Sequence, residues 1–397
     1  MRVPYTGALP PPRLVPRWAN TPTGAVAALA NFLTASPSGT LKHLAAADNP
    51  NDGSTVILSG AGISVASGLA DYRGDNGTYT LNRTYRPIYF HEFVHSHEAR
   101  KRYWARSFLG WTNLNKARPN PAHQAVKQLG EWGIVRSVIT QNVDSFHPTA
   151  HPSLPTLELH GFLRSLVCLS CGSHLPRSDF QDALSRLNPA WAAFLAEALA
   201  SGALDTESPA ERHAKGMKTN PDGDVDLPDA PYSTFRYPAC PTCLASPPVA
   251  PAATGDRAAK KLRVEVDADG AWNPTSEAGV LKPAVIMFGE SIPASVKTAA
   301  EEAIDAASRV LVVGSSLATY SAWRLVRRAK ERRMPLGILN LGGVRGEEEF
   351  FKDIDLAQQE GGMTVRVEMK ADELLPLVVE RLRKTRGGKG LDNASAR

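Results

Sequence analysis

The chain has 397 residues, enough for one large domain or two ordinary ones, and 43% of them are hydrophobic, as in a globular protein. Net charge is +5, with 45 basic against 40 acidic residues, too slight an excess to argue for a nucleic-acid partner. No apolar run approaches the ~18–20 residues that a membrane span needs.

Residues 1–47 carry Arg2, Arg13, Arg17 and Lys42, with no acid before Asp48, among many Pro, Ala, Ser and Thr. That composition reads as a mitochondrial presequence or as a disordered leader without an address. Next, Thr55-Val-Ile-Leu58 predicts a short buried strand running into Ser59-Gly-Ala-Gly-Ile-Ser64. Further apolar runs at Val135–Thr140, Val285–Phe288, Val310–Gly314, Leu336–Leu339 and Thr364–Val367 predict strands. Helical patterns at Ala122–Leu129, Val296–Ala307 and Ala322–Arg332 lie between several of them. Strands alternating with helices predict an α/β fold, a parallel sheet covered on both faces. Such sheets bind ligands at the carboxyl ends of their strands.

Residues 168–243 differ: they hold all four cysteines, a helical stretch near Asn188–Ala200 and a polar section from Ser201 to Asp229. This reads as a small inserted module. Residues 246–279, rich in Ala, Pro, Gly and charge, read as a surface insertion, and the tail beyond Arg381 is basic and reads as mobile.

Five groups of residues carry chemistry. Gly60-Ala61-Gly62, with Gly68 after it, would turn backbone N–H groups toward a pyrophosphate, since a Cβ would hold the phosphate away. The strict G-x-G-x-x-G spacing is absent, so a plain strand-to-helix turn stays open. Asp71-Tyr72-Arg73 adds an acid, an aromatic and a cation close by. Thr140-Gln141-Asn142-Val143-Asp144 closes a predicted strand, where amides and a carboxylate can grip a carboxamide and ribose hydroxyls, or cap a helix. Among ten histidines, His160 in Glu158-Leu159-His160-Gly161 stands between that polar strand end and the first cysteine pair, a place for a proton-transfer group. His91, His95, His97, His147 and His151 read as surface or loop residues, and His123 as either buried beside a ligand or a helix cap. Cys168-x-x-Cys171 and Cys240-x-x-Cys243 present two thiolates each to one tetrahedral Zn²⁺, a filled and therefore structural site. Phe288-Gly289-Glu290, Gly314-Ser315-Ser316 and Asn340-Leu341-Gly342 end apolar runs and would line one sheet edge, which suits a long dinucleotide.

Taken in order, G-A-G-I-S-x-x-S-G-L-A-D-Y-R, T-Q-N-V-D, E-L-H-G, the two CxxC pairs, K-P-A-V-I-M-F-G-E, V-V-G-S-S-L and I-L-N-L-G resemble the sirtuin family over roughly residues 55–375. Arg102–Arg106, Leu187–Trp191, Pro221–Val225 and Tyr320–Arg324 resemble its class II, mitochondrial-type branch. The resemblance implies a Rossmann-like domain at 48–165 and 280–375, a zinc module at 166–245, a surface insertion at 246–279 and a basic tail at 376–397. It implies NAD-dependent removal of acyl groups from protein lysines, releasing nicotinamide and O-acyl-ADP-ribose. It implies that Gly60, Ala61, Gly62 and Ser64 carry the pyrophosphate, and that Asp71, Tyr72 and Arg73 lie by the nicotinamide. Gln141 would touch the ribose, and Asn142 and Asp144 would form the nicotinamide pocket. His160 would be the general base, with Asn142 beside it in catalysis. Gly314, Ser315, Ser316, Asn340, Leu341, Gly342 and the backbone near Ala371 would hold the adenosine end. Val285, Ile286, Met287, Phe288 and Gly289 would add a substrate peptide as an extra strand. The expected partners are acylated-lysine proteins, for a monomer with no membrane insertion. Mono-ADP-ribosyl transfer and a catalytically weak NAD-binding scaffold stay open. Two departures stand out: Ala70 replaces the usual proline, and His151-Pro152 follow Ala150 where the family often has glycine, which implies a reshaped loop. Arg83 and Arg86 either read an acidic acyl group or are solvated.

Overall fold

The computed structural model describes residues 7–35, 54–74, 77–81, 85–202, 204, 218–219, 224–227, 229–250, 260–352 and 364–392. The chain forms two compact units, a larger one within residues 1–77, 118–160 and 291–397 and a smaller one within 78–117 and 161–290. The smaller unit thus takes in residues 78–117, ahead of the expected module at 166–245.

In the larger unit, β1 (Thr55–Ser59), β2 (Val135–Thr140), β3 (Thr156–Glu158), β4 (Arg309–Val313), β5 (Leu336–Leu339) and β6 (Thr364–Val367) form one sheet. Its order is β6-β5-β4-β1-β2-β3, with every neighbouring pair parallel. Strands β1, β4 and β5 are buried along their whole length, which is why they read as near-continuous aliphatic runs. The order reverses between β1 and β4, and that reversal is where an open parallel sheet leaves a crevice at its carboxyl ends.

Part of the segment whose composition reads as a leader packs into the larger unit. Val15 bridges Arg366 on β6 in antiparallel sense, and α1 (Pro22–Thr34) buries Ala25, Ala28, Leu29, Phe32 and Leu33 in the core. The carbonyls of Phe32 and Ala35, at the end of α1, accept from the buried guanidinium of Arg309. A cation at a helix C-terminus meets the negative end of the helix dipole. Composition hid this because small apolar residues with few charges serve a buried helix as well as a presequence. Residues 36–47 of the expected leader lie outside the described residues. Replacing Phe32 with alanine is therefore expected to cost about 3–5 kcal/mol of unfolding free energy. Urea titration checks this: an unchanged midpoint would mean that α1 does not belong to the core.

The tail also differs from its expectation. Residues Ala371–Asp392 form one helix, α2, which buries Leu374, Val378 and Leu382 in the same core.

In the smaller unit, His174–Pro176, Gly161–Cys168 and Leu281–Val285 make an antiparallel sheet. Trp104, Phe108, Phe180 and Tyr237 fill its core. The expected surface insertion contributes as well: Trp272 is buried, stacks on Tyr237 and donates its N–H to the Ala278 carbonyl. The run Val285–Phe288 is not a strand, because the strand ends at Val285. Glu290 accepts from the Met287 N–H at 2.8 Å and from buried Lys282 at 3.1 Å, and Gly289 sits at φ +85, so the chain turns. No helix among the described residues is long and apolar enough to cross a membrane.

Candidate active site

Two turns interlock at the carboxyl ends of β1 and β4. The Gly62 N–H donates to the Gly314 carbonyl at 2.9 Å. A Cβ on Gly60 would lie 2.8 Å from that same oxygen, and a Cβ on Gly62 would lie 2.9 Å from Gly314 Cα. Gly314 itself adopts φ +61. These glycines are required by each other's backbone, a demand that stands beside the one expected from a phosphate.

Gln141, just past β2, ties this crossing together. Its Nε2 donates to the Ser59 carbonyl at 3.2 Å and to Ser315 Oγ at 2.7 Å, so its Oε1 faces Thr319, which donates at 2.9 Å. A carbonyl only accepts, and this settles which end of the amide is which. Next to it, Asn142 Nδ2 donates to Ser64 Oγ at 3.1 Å, and Ser64 donates to Asp144 Oδ2 at 2.7 Å. Asp144 also accepts from the Phe146 N–H at 2.9 Å, so it holds the chain two residues on as well as facing the polar cluster. Burial pushes the Asp144 carboxyl above its usual range, against hydrogen bonds from Phe146, Ser64 and Asn142 that favour the charged form. Asp71 accepts from the Gly74 N–H at 3.1 Å, and it, Tyr72 and Arg73 are partly exposed.

His160 is 5% exposed. Its Nδ1 lies 3.0 Å from the Gln141 carbonyl and its Nε2 lies 2.8 Å from Ser321 Oγ. Because the carbonyl must accept, Nδ1 carries the proton and Nε2 holds the basic lone pair. Burial lowers the imidazole pKa to about 4, so the ring is neutral at physiological pH. Gly161 follows at φ +74, and a Cβ there would lie 2.1 Å from the Ala284 carbonyl, so only glycine follows this histidine without strain.

Asn340, Leu341 and Gly342, expected on the adenosine side, follow β5, and Ala371 follows β6. Arg366 is fully buried, pairs with Glu347 at 2.7 Å and donates to the carbonyls of Asn340 and Gly342 at 2.9 and 2.6 Å. Glu347 also accepts from the Arg13 N–H, so the N-terminal segment braces this loop. Leu341 is exposed, and Ala371 opens α2.

Sequence reasoning missed two groups. Ser321 lies in Tyr320–Arg324, which reads only as a subclass marker, and Thr319 stands just before it. His147 and His151 are buried, not surface residues: Ser59 Oγ lies 2.9 Å from His147 Nε2, and His147 Nδ1 lies 2.9 Å from His151 Nε2. The departure at His151 thus fills a place beside an imidazole. His123 packs edge-on against His147 and bonds Asn120, both buried and part of a helix cap. Burial lowers the His123 pKa to about 3 and holds that of His147 well below its usual value.

These shifts predict acid sensitivity. A histidine whose folded pKa lies below the unfolded ~6.5 takes up a proton on unfolding, so its contribution is complete above pH ~6.5. It is lost as pH falls toward the folded values of about 4 for His160 and about 3 for His123. Each such histidine adds a slope of up to about 1.4 kcal/mol per pH unit within that window. Urea midpoints are expected to fall steadily from pH 7 to pH 5, and a flat profile would contradict the buried cluster.

In the smaller unit the four cysteine sulfurs converge within 4.8 Å of one another, with Cys168 and Cys243 Sγ 3.5 Å apart and Cys171 and Cys240 Sγ 3.7 Å apart. Zinc–sulfur bonds of about 2.3 Å in a tetrahedron put sulfurs about 3.8 Å apart, so the set fits one structural zinc. Arg86 pairs with Glu92 at 2.7 Å and its head lies over Tyr89, in keeping with the solvated alternative, while Arg83 lies outside the described residues.

The Sir2 family model matches residues 60–321. The chain is 40% identical over 303 residues to the NAD-dependent protein deacylase SIR4 of Batrachochytrium dendrobatidis, covering 75% of this chain and 83% of that one. It is 38% identical to the NAD-dependent protein deacylase SRT2 of Arabidopsis thaliana, covering 74% and 67%. It is 32% identical to the NAD-dependent protein lipoamidase sirtuin-4, mitochondrial, of Bos taurus, covering 81% of each. A solved structure of the study "Structural Basis for the Mechanism and Regulation of Sir2 Enzymes" shares the fold, with a TM-score of 0.54 at 23% identity over 91% of this chain and 98% of that one. With its sheet, its histidine and its four convergent thiols in place, the chain belongs to the Sir2 family.

Proposed function

We propose that this protein removes acyl groups from lysine side chains of proteins, consuming NAD and releasing nicotinamide and O-acyl-ADP-ribose, with His160 as general base. The observation that carries this reading is the His160 ring: neutral, buried, pinned through Nδ1 to the Gln141 carbonyl and basic at Nε2. NAD supplies a ribose carbon that becomes electrophilic as nicotinamide leaves. The protein positions and moves protons. Gly60–Gly62 and Gly314–Ser316 would take the pyrophosphate and adenosine, with Asn340–Gly342 and Ala371 at the far end. Ser64, Asn142 and Asp144 would hold the carboxamide, with Asp71, Tyr72 and Arg73 near it. Val285 and the turn to Gly289 would meet the peptide. The names of the fungal and plant relatives support the same activity.

A panel of lysine peptides carrying short, acidic and lipoyl-type acyl groups, incubated with NAD and read by mass spectrometry, tests this. Free lysine with O-acyl-ADP-ribose is expected, and adenine label retained on protein would overturn it. For location we propose the mitochondrial matrix, supported by the composition of residues 1–47 and by the name of the bovine relative. Any import processing would have to spare Val15–Thr34, which is core. Imaging of the full chain in cells checks it, with a nuclear or cytosolic signal as the contrary result.

A further inference from the structure

The helix Tyr320–Glu331 begins six residues after Gly314, and its first hydroxyls do not cap it. Thr319 stands at the N-cap without a side-chain cap bond and donates to Gln141 instead. Ser321, 7% exposed, has its Oγ 2.8 Å from His160 Nε2. With Nδ1 committed to the Gln141 carbonyl, the Ser321 O–H must donate to the one lone pair through which His160 can act as a base. A sugar hydroxyl reaching Nε2 directly would have to displace Ser321 and leave a buried hydroxyl without its partner.

We infer that Ser321 is a catalytic residue, the proton carrier between the ribose hydroxyl of the co-substrate and His160. The sugar O–H bond breaks as its proton passes to Ser321 Oγ. The Ser321 O–H bond breaks in concert as that proton passes to His160 Nε2. The electron pair left on the sugar oxygen forms the new bond to the acyl carbon as the π pair of that carbon's double bond to the lysine nitrogen moves onto the nitrogen. Serine is regenerated, His160 holds the proton, and no oxidant or further reactant enters. This inference rests on His160 being the base.

The test uses the full chain with Ser321→Ala, Ser321→Thr and His160→Ala. In the ligand-free protein, nitrogen NMR of His160 is expected to show the Nε2 resonance moving downfield in Ser321→Ala, as its hydrogen bond is lost, and staying near its wild-type position in Ser321→Thr. Under single-turnover conditions with NAD and an acyl-lysine peptide, Ser321→Ala is expected to slow acyl transfer by about 10–100-fold, with NAD affinity retained. Ser321→Thr, which keeps the hydroxyl, is expected to recover most of that rate. Wild-type acyl transfer in Ser321→Ala, alongside an inactive His160→Ala, would overturn the carrier role and leave the base assignment standing. Full acyl transfer in His160→Ala would instead sink the base assignment and the carrier with it.

Discussion

Replacing His160 with alanine is expected to slow acyl transfer by about 10²–10⁴-fold, the usual contribution of a positioned general base. The ring is well suited to that task. Its Nδ1–H is pinned to the Gln141 carbonyl, which fixes both tautomer and orientation. Burial keeps it neutral down to a pH of about 4, so the base form is present across the physiological range. The loss is expected to fall on the step that removes the ribose proton. Exchange of labelled nicotinamide into NAD, which precedes that step, is expected to persist. A variant that loses nicotinamide exchange and NAD binding together would point to a collapsed site, and one that keeps full acyl transfer would remove His160 from the mechanism.

Removing the metal is expected to unfold the smaller unit. Cys168, Cys240 and Cys243 are buried, and all three belong to the core that contains Trp104, Phe180 and Trp272. Stripped of zinc, thiols held this closely lose their common partner, and ionised thiolates would repel one another. Structural zinc supplies an apparent binding free energy of about 10–16 kcal/mol, as large as the net stability of an ordinary protein. Chelation, or Cys240→Ser, is expected to abolish stoichiometric zinc and the near-ultraviolet dichroism of the buried tryptophans. Because four thiolates leave no open coordination position, activity is expected to fall with folding and not ahead of it. Activity that vanished while the dichroism stayed native would argue for a catalytic metal.

Much of this was legible in the residue order. The buried strands β1, β4 and β5 announce themselves as aliphatic runs because both faces of a parallel sheet are covered. The paired cysteines state their own geometry, and the polar strand end at Gln141–Asp144 is visible as an abrupt change after an apolar run. Other features were hidden for specific reasons. Phe32 and Leu33 lie among alanines in an acid-poor segment, so their burial depends on β6 and α2, far away in sequence. The apolar run Val285–Phe288 looks like a strand, yet Lys282 and Glu290 bend it after Val285.

Local pattern determined the parallel α/β class, the metal ligands and which histidine to single out, since each depends on side-chain periodicity or on residues a few positions apart. Only tertiary structure decided that the N-terminal segment is core, that His147 and His151 are buried, and that Ser321 meets His160 across 161 positions of chain. Those are contacts between distant segments, made when the sheet order brings β1, β2 and β4 side by side, and nothing in the spacing of neighbouring residues encodes them.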